Sequence, residues 1–411
     1  MIELLIENIG KVKLADIKLD TITIVAGVNN TGKSTISKIL YSGMKPSSEI
    51  GRERVCVELS DEVVNCLENL SEKTKEKVGN LIDLIYTELK NKRFTLLQRR
   101  IEELEVIVEE DGDDNDSLLV SNLKINLLIK DTDILKNYLE DDFGNLLNED
   151  INREKRIKIK RDDIELIDYN PKNNNEDNKT LMRMGIVRNN EIYNVLYIST
   201  PYILDKIKYS TNFLTMIEED LMNDFQRNFF SRGVINLSKT KSTRREIEEI
   251  IENIIGGNLY LKTPQEIVYK MKKGEEVQDV SLNNTATGIK SLGILLQLLS
   301  NASIKENSIL ILDEPEVHLH PEWQVKLAEI LIKLTIHLNI KIFINSHSSE
   351  FIEALQVYSI KNKVTGLNAY LAEEENGVTI FKDKTNEFGE IYRELGKGYD
   401  ILDKVKMELG N

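Results

Sequence analysis

At 411 residues the chain is long enough for two or three domains and at least one large core, and its 41% hydrophobic and 30% charged residues are ordinary for a soluble globular protein. A net charge of −15 excludes a global basic footprint for nucleic acid, and no apolar run reaches the length of a membrane span. The only cysteines, Cys56 and Cys66, form neither a disulfide framework nor a metal-ligand pattern, which points to a reducing cytoplasm.

The N-terminus, MIELLIENIGKVKLADIKLD, alternates and carries charges, so it reads as paired strands rather than a secretion signal. Strands are expected at Ile2–Ile6, Lys11–Leu19 and Thr21–Ala26. Gly27–Ser34 (GVNNTGKS) then matches the full phosphate-loop pattern G-x-x-x-x-G-K-[ST]. It lies between a β-branched strand and a helix beginning at Thr35–Tyr41, the context in which backbone N–H groups and a helix dipole converge on an anion. Gly27, Asn29, Asn30, Thr31, Gly32, Lys33, Ser34 and Thr35 are therefore the candidate nucleotide contacts. Lys33 is expected to reach the β- and γ-phosphates, and Ser34 to hold Mg²⁺ through its hydroxyl.

Pro46, Ser47 and Ser48 break the pattern. Residues from about Val57 to Leu147 read mostly as helix, with apolar residues at helical spacing over Leu81–Val108, a solvated acidic loop at Glu109–Ser117 and a second helical region at Ser121–Leu147. Arg156–Asp168 alternates like a short hairpin, and Asn170–Lys179 has the composition of a flexible loop. The range 46–190 is thus expected to form an inserted arm or lid, mostly helical with a short β segment. Its basic run Arg153–Arg161, and a second at Lys239–Arg245, offer a grip on a phosphate backbone. The bland reading is a solvated face, and no aromatic residues interleave with them for base stacking.

Glu191–Thr200 returns to a buried strand capped by Pro201, 202–255 reads as helix, and Asn258–Lys262 and Ile267–Lys272 as strands. Asn284–Ser300 opens a helix leading into Ser308–Pro321 (SILILDEPEVHLHP). There a buried parallel strand, Ile309–Leu312, ends in adjacent carboxylates, Asp313 and Glu314, at the strand end where open α/β sheets place ligands. One carboxylate can hold a magnesium ion while its neighbour polarises a water. Trp323–Leu338 is an amphipathic helix anchored by the only tryptophan. Lys341–Asn345 is another buried strand, followed by Ser346-His347-Ser348 and a helix from Glu350. A hairpin (Asn368–Leu371, Val378–Lys382) and a helix close the chain. Lys33 and Asp313 stand 280 positions apart. The nucleotide domain is therefore expected to be built from 1–45 plus 191–411, around the insertion.

Taken in order, GVNNTGKS at 27–34, NTATGIKS at 284–291, LILDEP at 310–315 and INSHS at 344–348 resemble the ATP-binding-cassette ATPases of the chromosome-maintenance and DNA-repair branch. The resemblance extends to bacterial stand-alone AAA family ATPases related to the OLD and RecF-like proteins, and covers about a third of the chain at its two ends. It implies an α/β fold: a P-loop NTPase with an ABC-type ATPase head, its mixed and parallel sheet flanked by helices. It assigns Asp313 to the Mg²⁺ shell, Glu314 to the general base and His347 to the switch histidine that senses the γ-phosphate. Lys33 stabilises charge during in-line transfer to water. Thr287, Gly288 and Lys290 match the signature loop, with Ala286 where a serine is usual and the Thr287 hydroxyl as a substitute. In relatives this loop caps the nucleotide of the opposite subunit, which implies a head-to-tail homodimer with two ATP molecules sandwiched. No clear glutamine loop is present; Ser199 and Thr200 occupy about its place.

His318 and His320, near Glu316 and Glu322, invite a metal-site reading, but the resemblance places them in a dimer-contact loop. The segment after the His347 helix, about 50 residues, is too short for the nuclease domain of OLD-type proteins. The expectation is an ATPase that drives or gates a separate effector, a nuclease among the candidates, in bacterial anti-phage defence. A stand-alone DNA-binding repair ATPase and a slow nucleotide-dependent switch remain open.

Overall fold

The computed structural model describes residues 1–45, 56, 59–91, 94–111, 113–125, 154–162, 164–169, 194–206, 214–227, 240–263, 266–274 and 276–409. The break at Pro46–Ser48, positions 126–147, Arg153, the loop Asn170–Lys179 and Lys239 lie outside them. By internal contacts the chain divides into two compact units. One comprises Met1–Tyr41, Asp141–Arg183 and Asn194–Asn411, and the other Ser42–Glu140 and Met184–Tyr193.

The first unit is built on a ten-stranded sheet. In chain order its strands are β1 (Ile2–Ile9), β2 (Val12–Leu19), β3 (Ile22–Ala26), β4 (Arg156–Arg161), β5 (Ile164–Tyr169) and β6 (Val195–Ile198). A separate three-stranded sheet takes β7 (Gly257–Thr263), β8 (Glu266–Lys273) and β9 (Glu276–Ser281). The large sheet resumes with β10 (Ile309–Asp313), β11 (Lys341–Ser346), β12 (Leu367–Glu375) and β13 (Val378–Asp383). Its spatial order is β5-β4-β1-β2-β13-β12-β3-β11-β10-β6. The half from β12 to β6 is parallel, and the half from β5 to β2 antiparallel. The sheet is thus mixed, with a parallel half flanked by helices, an α/β arrangement.

Residue pattern explains the split. β3 and β10 are buried at every position, because helices cover both faces of a parallel sheet. In β2, exposed residues alternate with buried ones over its second half, as in a strand with one wet face. Helices Thr287–Ser300, Pro321–Leu338 and Ser349–Lys361 supply much of the core around β3, β10 and β11. Pro321 at the first helical position and Asn339 in the left-handed region (φ 48°) set the ends of the second of these, and Trp323 packs half-buried against the core.

Four details depart from the sequence reading. The Arg156–Asp168 hairpin forms, but β4 pairs with β1, aligning Ile157 with Ile6 and Ile159 with Leu4. The edge of β1 accepts it because both strands bury alternate apolar residues, so part of the range 46–190 belongs to the head's sheet. β9 was not legible: EVQDVS is exposed at nearly every position and carries little apolar signal. In the second unit, Leu81–Val108 is divided between helices Glu72–Lys90 and Phe94–Asp111. The acidic stretch after it is mostly exposed, as expected, but its described residues are largely helical rather than loop. Helix resumes over 114–125, and Asp116 is buried, accepting hydrogen bonds from Ser71 N–H (2.9 Å), Ser71 Oγ (2.6 Å) and Thr74 Oγ1. Ser71 in turn caps the Glu72–Lys90 helix.

Candidate functional site

The phosphate loop joins β3 to helix Lys33–Met44. Neighbouring strands crowd its backbone. A Cβ on Gly27 would lie 2.7 Å from Ala372 Cβ on β12, and one on Gly32, whose φ is +89°, would lie 2.9 Å from Val12 Cγ2 on β2. Only glycine fits there. Asn30 also turns through the left-handed region (φ 64°), and Thr31 Oγ1 donates to the Val28 carbonyl at 2.9 Å. Asn29, Asn30 and Ser34 are exposed, Gly32 and Thr35 half-buried, and Gly27, Thr31 and Lys33 buried. The Lys33 ammonium donates to the carbonyls of Gly27 and Val28, each at 2.8 Å. Burial pushes its pKa below the ordinary lysine value, and the charges of Glu314, Asp313 and Glu316 oppose that shift. Residues 280 positions downstream thus act on the loop lysine.

Asp313 ends β10 and stands in register with Asn345 of the adjacent parallel strand β11. Its carboxylate is buried and held at both oxygens. Oδ1 accepts from Asn345 Nδ2 (2.8 Å), and Oδ2 accepts from the Tyr197 hydroxyl on β6 (2.9 Å). Asn345 Nδ2 also donates to Ser37 Oγ on the phosphate-loop helix. Glu314 follows in the left-handed region (φ 52°), its N–H donating to the Asn345 carbonyl at 2.9 Å. One Glu314 carboxylate oxygen lies 3.4 Å from His347 Nδ1. Glu316 is buried, and its Oε1 accepts from Ser346 Oγ (2.6 Å) and His347 N–H (3.2 Å).

Ser34, Asp313 and Glu314 line one cavity of about 270 Å³, with Ser199 and Thr200 also on its wall. A hydroxyl and a carboxylate facing one space form an all-oxygen donor set, which suits a hard cation that takes its remaining ligands from water and phosphate. Ser34 and Asp313 therefore fit Mg²⁺. Among the described residues no cluster of three or more His, Cys, Asp or Glu side chains could hold a metal; a magnesium ion shared with a nucleotide needs none. His318 packs edge-on against Tyr202, with ring centroids 5.7 Å apart. His320 caps helix Pro321–Leu338, accepting from the Glu322 N–H at 3.4 Å.

The signature residues stand apart from this cluster. Thr287, Gly288 and Lys290 open helix Thr287–Ser300 but do not line the cavity, which the helix reaches through Ser291. Ala286 leaves the helix N-terminus without a side-chain cap, and Thr287 is half-buried beside it. The loop of His318 lies so close to Gly288 that a Cβ there would sit 3.0 Å from the His318 carbonyl oxygen. Lys290 is buried and tied to both carboxylate oxygens of Asp205 at 2.8 and 2.9 Å, so its ammonium is engaged within the chain.

Several of the described basic residues pair within the chain. Arg156 pairs with Asp168 (2.7 Å), Lys158 with Asp168 and Glu165, and Arg161 with Asp162. Arg245 faces Glu248, Glu249 and Glu252, while Arg244 is largely buried and donates to the Ile304 carbonyl.

Sequence reading missed Tyr197, Asn345, Ser346 and Glu316. The available signals were slight: a hydroxyl inside the apolar run NVLYI, and two polar residues ending the apolar strand KIFINS.

The chain belongs to the AAA ATPase domain family, whose model matches residues 1–352, and it is an ATP-binding, ATP-hydrolysing P-loop ATPase. No curated protein matches it in sequence. Among solved structures it is similar to the SMC head domain from Thermotoga maritima, at 12% identity and a TM-score of 0.39, over 93% of this chain and 97% of that one. It is also similar to an SMC head bound to the C-terminal winged-helix domain of ScpA, at 14% and 0.44, over 94% and 98%. A dimeric bacterial ABC transporter cassette is matched at 10% and 0.32, over 90% and 94%.

Proposed function

We propose that the chain hydrolyses ATP with Mg²⁺ as a head-to-tail homodimer, and that hydrolysis drives or gates a separate effector protein in bacterial anti-phage defence. The observation that carries the chemistry is the shared cavity of Ser34, Asp313 and Glu314, with His347 Nδ1 3.4 Å from the Glu314 carboxylate. Loop N–H groups and Lys33 hold the β- and γ-phosphates, Lys33 leaving the Gly27 and Val28 carbonyls to do so. Ser34 and Asp313 hold the magnesium ion, which neutralises phosphate charge when bound. Glu314 takes a proton from the attacking water as the new P–O bond forms in line with the breaking bond to ADP. His347 stands beside the γ-phosphate and reports its presence. Thr287 and Gly288, at a helix N-terminus with no side-chain cap, face the partner's nucleotide. Lys290 supports that helix through Asp205.

Glu314→Gln tests the assignment. The expected result is a fall in phosphate release of roughly 10²- to 10⁴-fold, with ATP still bound and an ATP-dependent dimer accumulating in size-exclusion chromatography with light scattering. Unchanged turnover would remove Glu314 from the base role, and a monomer with bound ATP would remove the sandwich. For the effector, loss of phage protection in the same variant is expected. The described helices include none long and apolar enough to cross a membrane, and we place the protein in the cytoplasm. The internal pairing of Arg156, Lys158, Arg161 and Arg245 favours a protein effector over DNA; strong salt-sensitive stimulation by duplex DNA would reverse that order.

A further inference from the structure

Glu316 is a carboxylate the hydrolysis scheme does not use, yet it is the most deeply buried acidic group beside the site, at 2% exposure. Its Oε1 accepts from Ser346 Oγ and from the His347 N–H, while Oε2 is buried with no hydrogen-bond partner. Leaving a buried acceptor unpartnered costs stability, so the residue is not explained as a stabilising contact alone. The Ser346 hydroxyl that donates to Glu316 also accepts from the Ser348 N–H at 3.1 Å. Ser348 Oγ then caps helix Ser349–Lys361 by accepting from Phe351 N–H. Through one carboxylate oxygen the turn after β11 is fixed at two successive N–H groups. The His347 side chain is 39% exposed, so packing alone does not hold it; its Nδ1 lies 3.9 Å from Glu316 Oε1, and its backbone N–H donates to the same oxygen.

We propose that Glu316 is a positioning residue for ATP hydrolysis: it fastens the Ser346–His347 turn so that the His347 imidazole stands against the Glu314 carboxylate. The inference rests on the assignment of Glu314 and His347 above. Burial also raises the Glu316 pKa above the usual carboxylate value. A glutamine amide, with its carbonyl toward Ser346 and His347, keeps the acceptor that both donors use.

The test is steady-state ATP hydrolysis by the full chain. Glu316→Ala is expected to lower kcat roughly 10- to 100-fold, the usual consequence of a small misplacement at a reacting centre. KM for ATP should stay within about twofold, because the interaction serves the transition state rather than binding. Glu316→Gln should restore most of the rate. Adding Glu316→Ala to His347→Ala should cost little beyond His347→Ala alone, since both act through one imidazole. Full activity in Glu316→Ala overturns the inference. So does a Glu316→Gln enzyme as slow as the alanine variant, or fully multiplicative losses in the double variant. Should Glu316→Ala not fold, Ser346→Ala takes its place: it removes the hydroxyl that ties the turn to Glu316 and leaves the His347 N–H bond, so a smaller fall in kcat is expected, and an unchanged kcat refutes the proposal. Glu314→Gln, measured alongside, separates the two levels. If it retains activity, the reading of the site fails; if it is inactive while Glu316→Ala is not, only the role of Glu316 fails.

Discussion

Replacing Tyr197 with phenylalanine removes one oxygen atom and leaves the ring, so its edge-on contact with Tyr41, with centroids 5.8 Å apart, survives. What disappears is the 2.9 Å hydrogen bond from the hydroxyl to Asp313 Oδ2, one of two bonds that orient this carboxylate. A hydrogen bond to a charged group contributes about 1.5–3 kcal/mol. If the bond persists when magnesium binds, only the part that matters more in the ion-bound state reaches the binding constant. About half of the upper figure is near 1.4 kcal/mol, roughly a tenfold loss. The magnesium concentration for half-maximal phosphate release, measured at saturating ATP, should therefore rise about tenfold in Tyr197→Phe. KM for ATP at saturating magnesium should move little. An unchanged magnesium requirement would refute the reasoning, since Asp313 would then be oriented without Tyr197. A lowered requirement would refute it more sharply, by showing that the hydroxyl competes with the ion for Oδ2.

Gly32→Ala places a Cβ 2.9 Å from Val12 Cγ2 at φ +89°; left-handed strain of roughly 1–2 kcal/mol should lower ATP affinity in calorimetry at least several-fold, and undiminished affinity would contradict the crowding argument. Cys66 in the second unit is buried, and burial first, then the Asp116 charge, pushes its thiol up to about 11. Its thiolate should therefore be scarce at pH 8, and peptide mapping should show alkylation roughly a hundredfold slower than for a free thiol, rising steeply only as the pH approaches 11.

The fold was legible where local chemistry repeats. β3, β10 and β11 were found because parallel strands buried on both faces are near-continuous apolar runs, and the phosphate loop because its glycines, lysine and serine are consecutive. The adjacent carboxylates were legible for the same reason. What escaped was information carried across strands. Nothing local marks Tyr197 as a partner of Asp313, 116 residues away, and Asn345 matters through register rather than through a motif. The signature lysine shows the converse. Lys290 fits the pattern, but no local rule says that Asp205 waits beside it. Within the basic run Arg153–Arg161, likewise, nothing local says that Arg156 and Lys158 meet Asp168 and Glu165 on the return strand of the same hairpin.

The register between β10 and β11 carries more of the chemistry than either strand does alone. Parallel pairing sets Asp313 opposite Asn345, and from that point three successive residues of β11 and its turn serve three acidic residues of the β10 loop. Asn345 holds the Asp313 carboxylate with its side chain and the Glu314 N–H with its carbonyl. Ser346 holds Glu316, and His347 stands at Glu314. Glu314 accepts a left-handed backbone, a conformation that costs about 1–3 kcal/mol in a residue other than glycine, and the Asn345 carbonyl fixes it there. A shift of one residue between these strands would turn every side chain to the opposite face and dissolve all three pairings together. The apolar residues upstream, Ile309–Leu312 against Lys341–Ile344, are buried at all but the lysine and lock that register. The hydrophobic core beneath the site therefore sets which side chain meets which, and on the proposed assignment a nucleotide-driven change at His347 has a path, through Ser346 and Glu316, into the loop that holds Glu314.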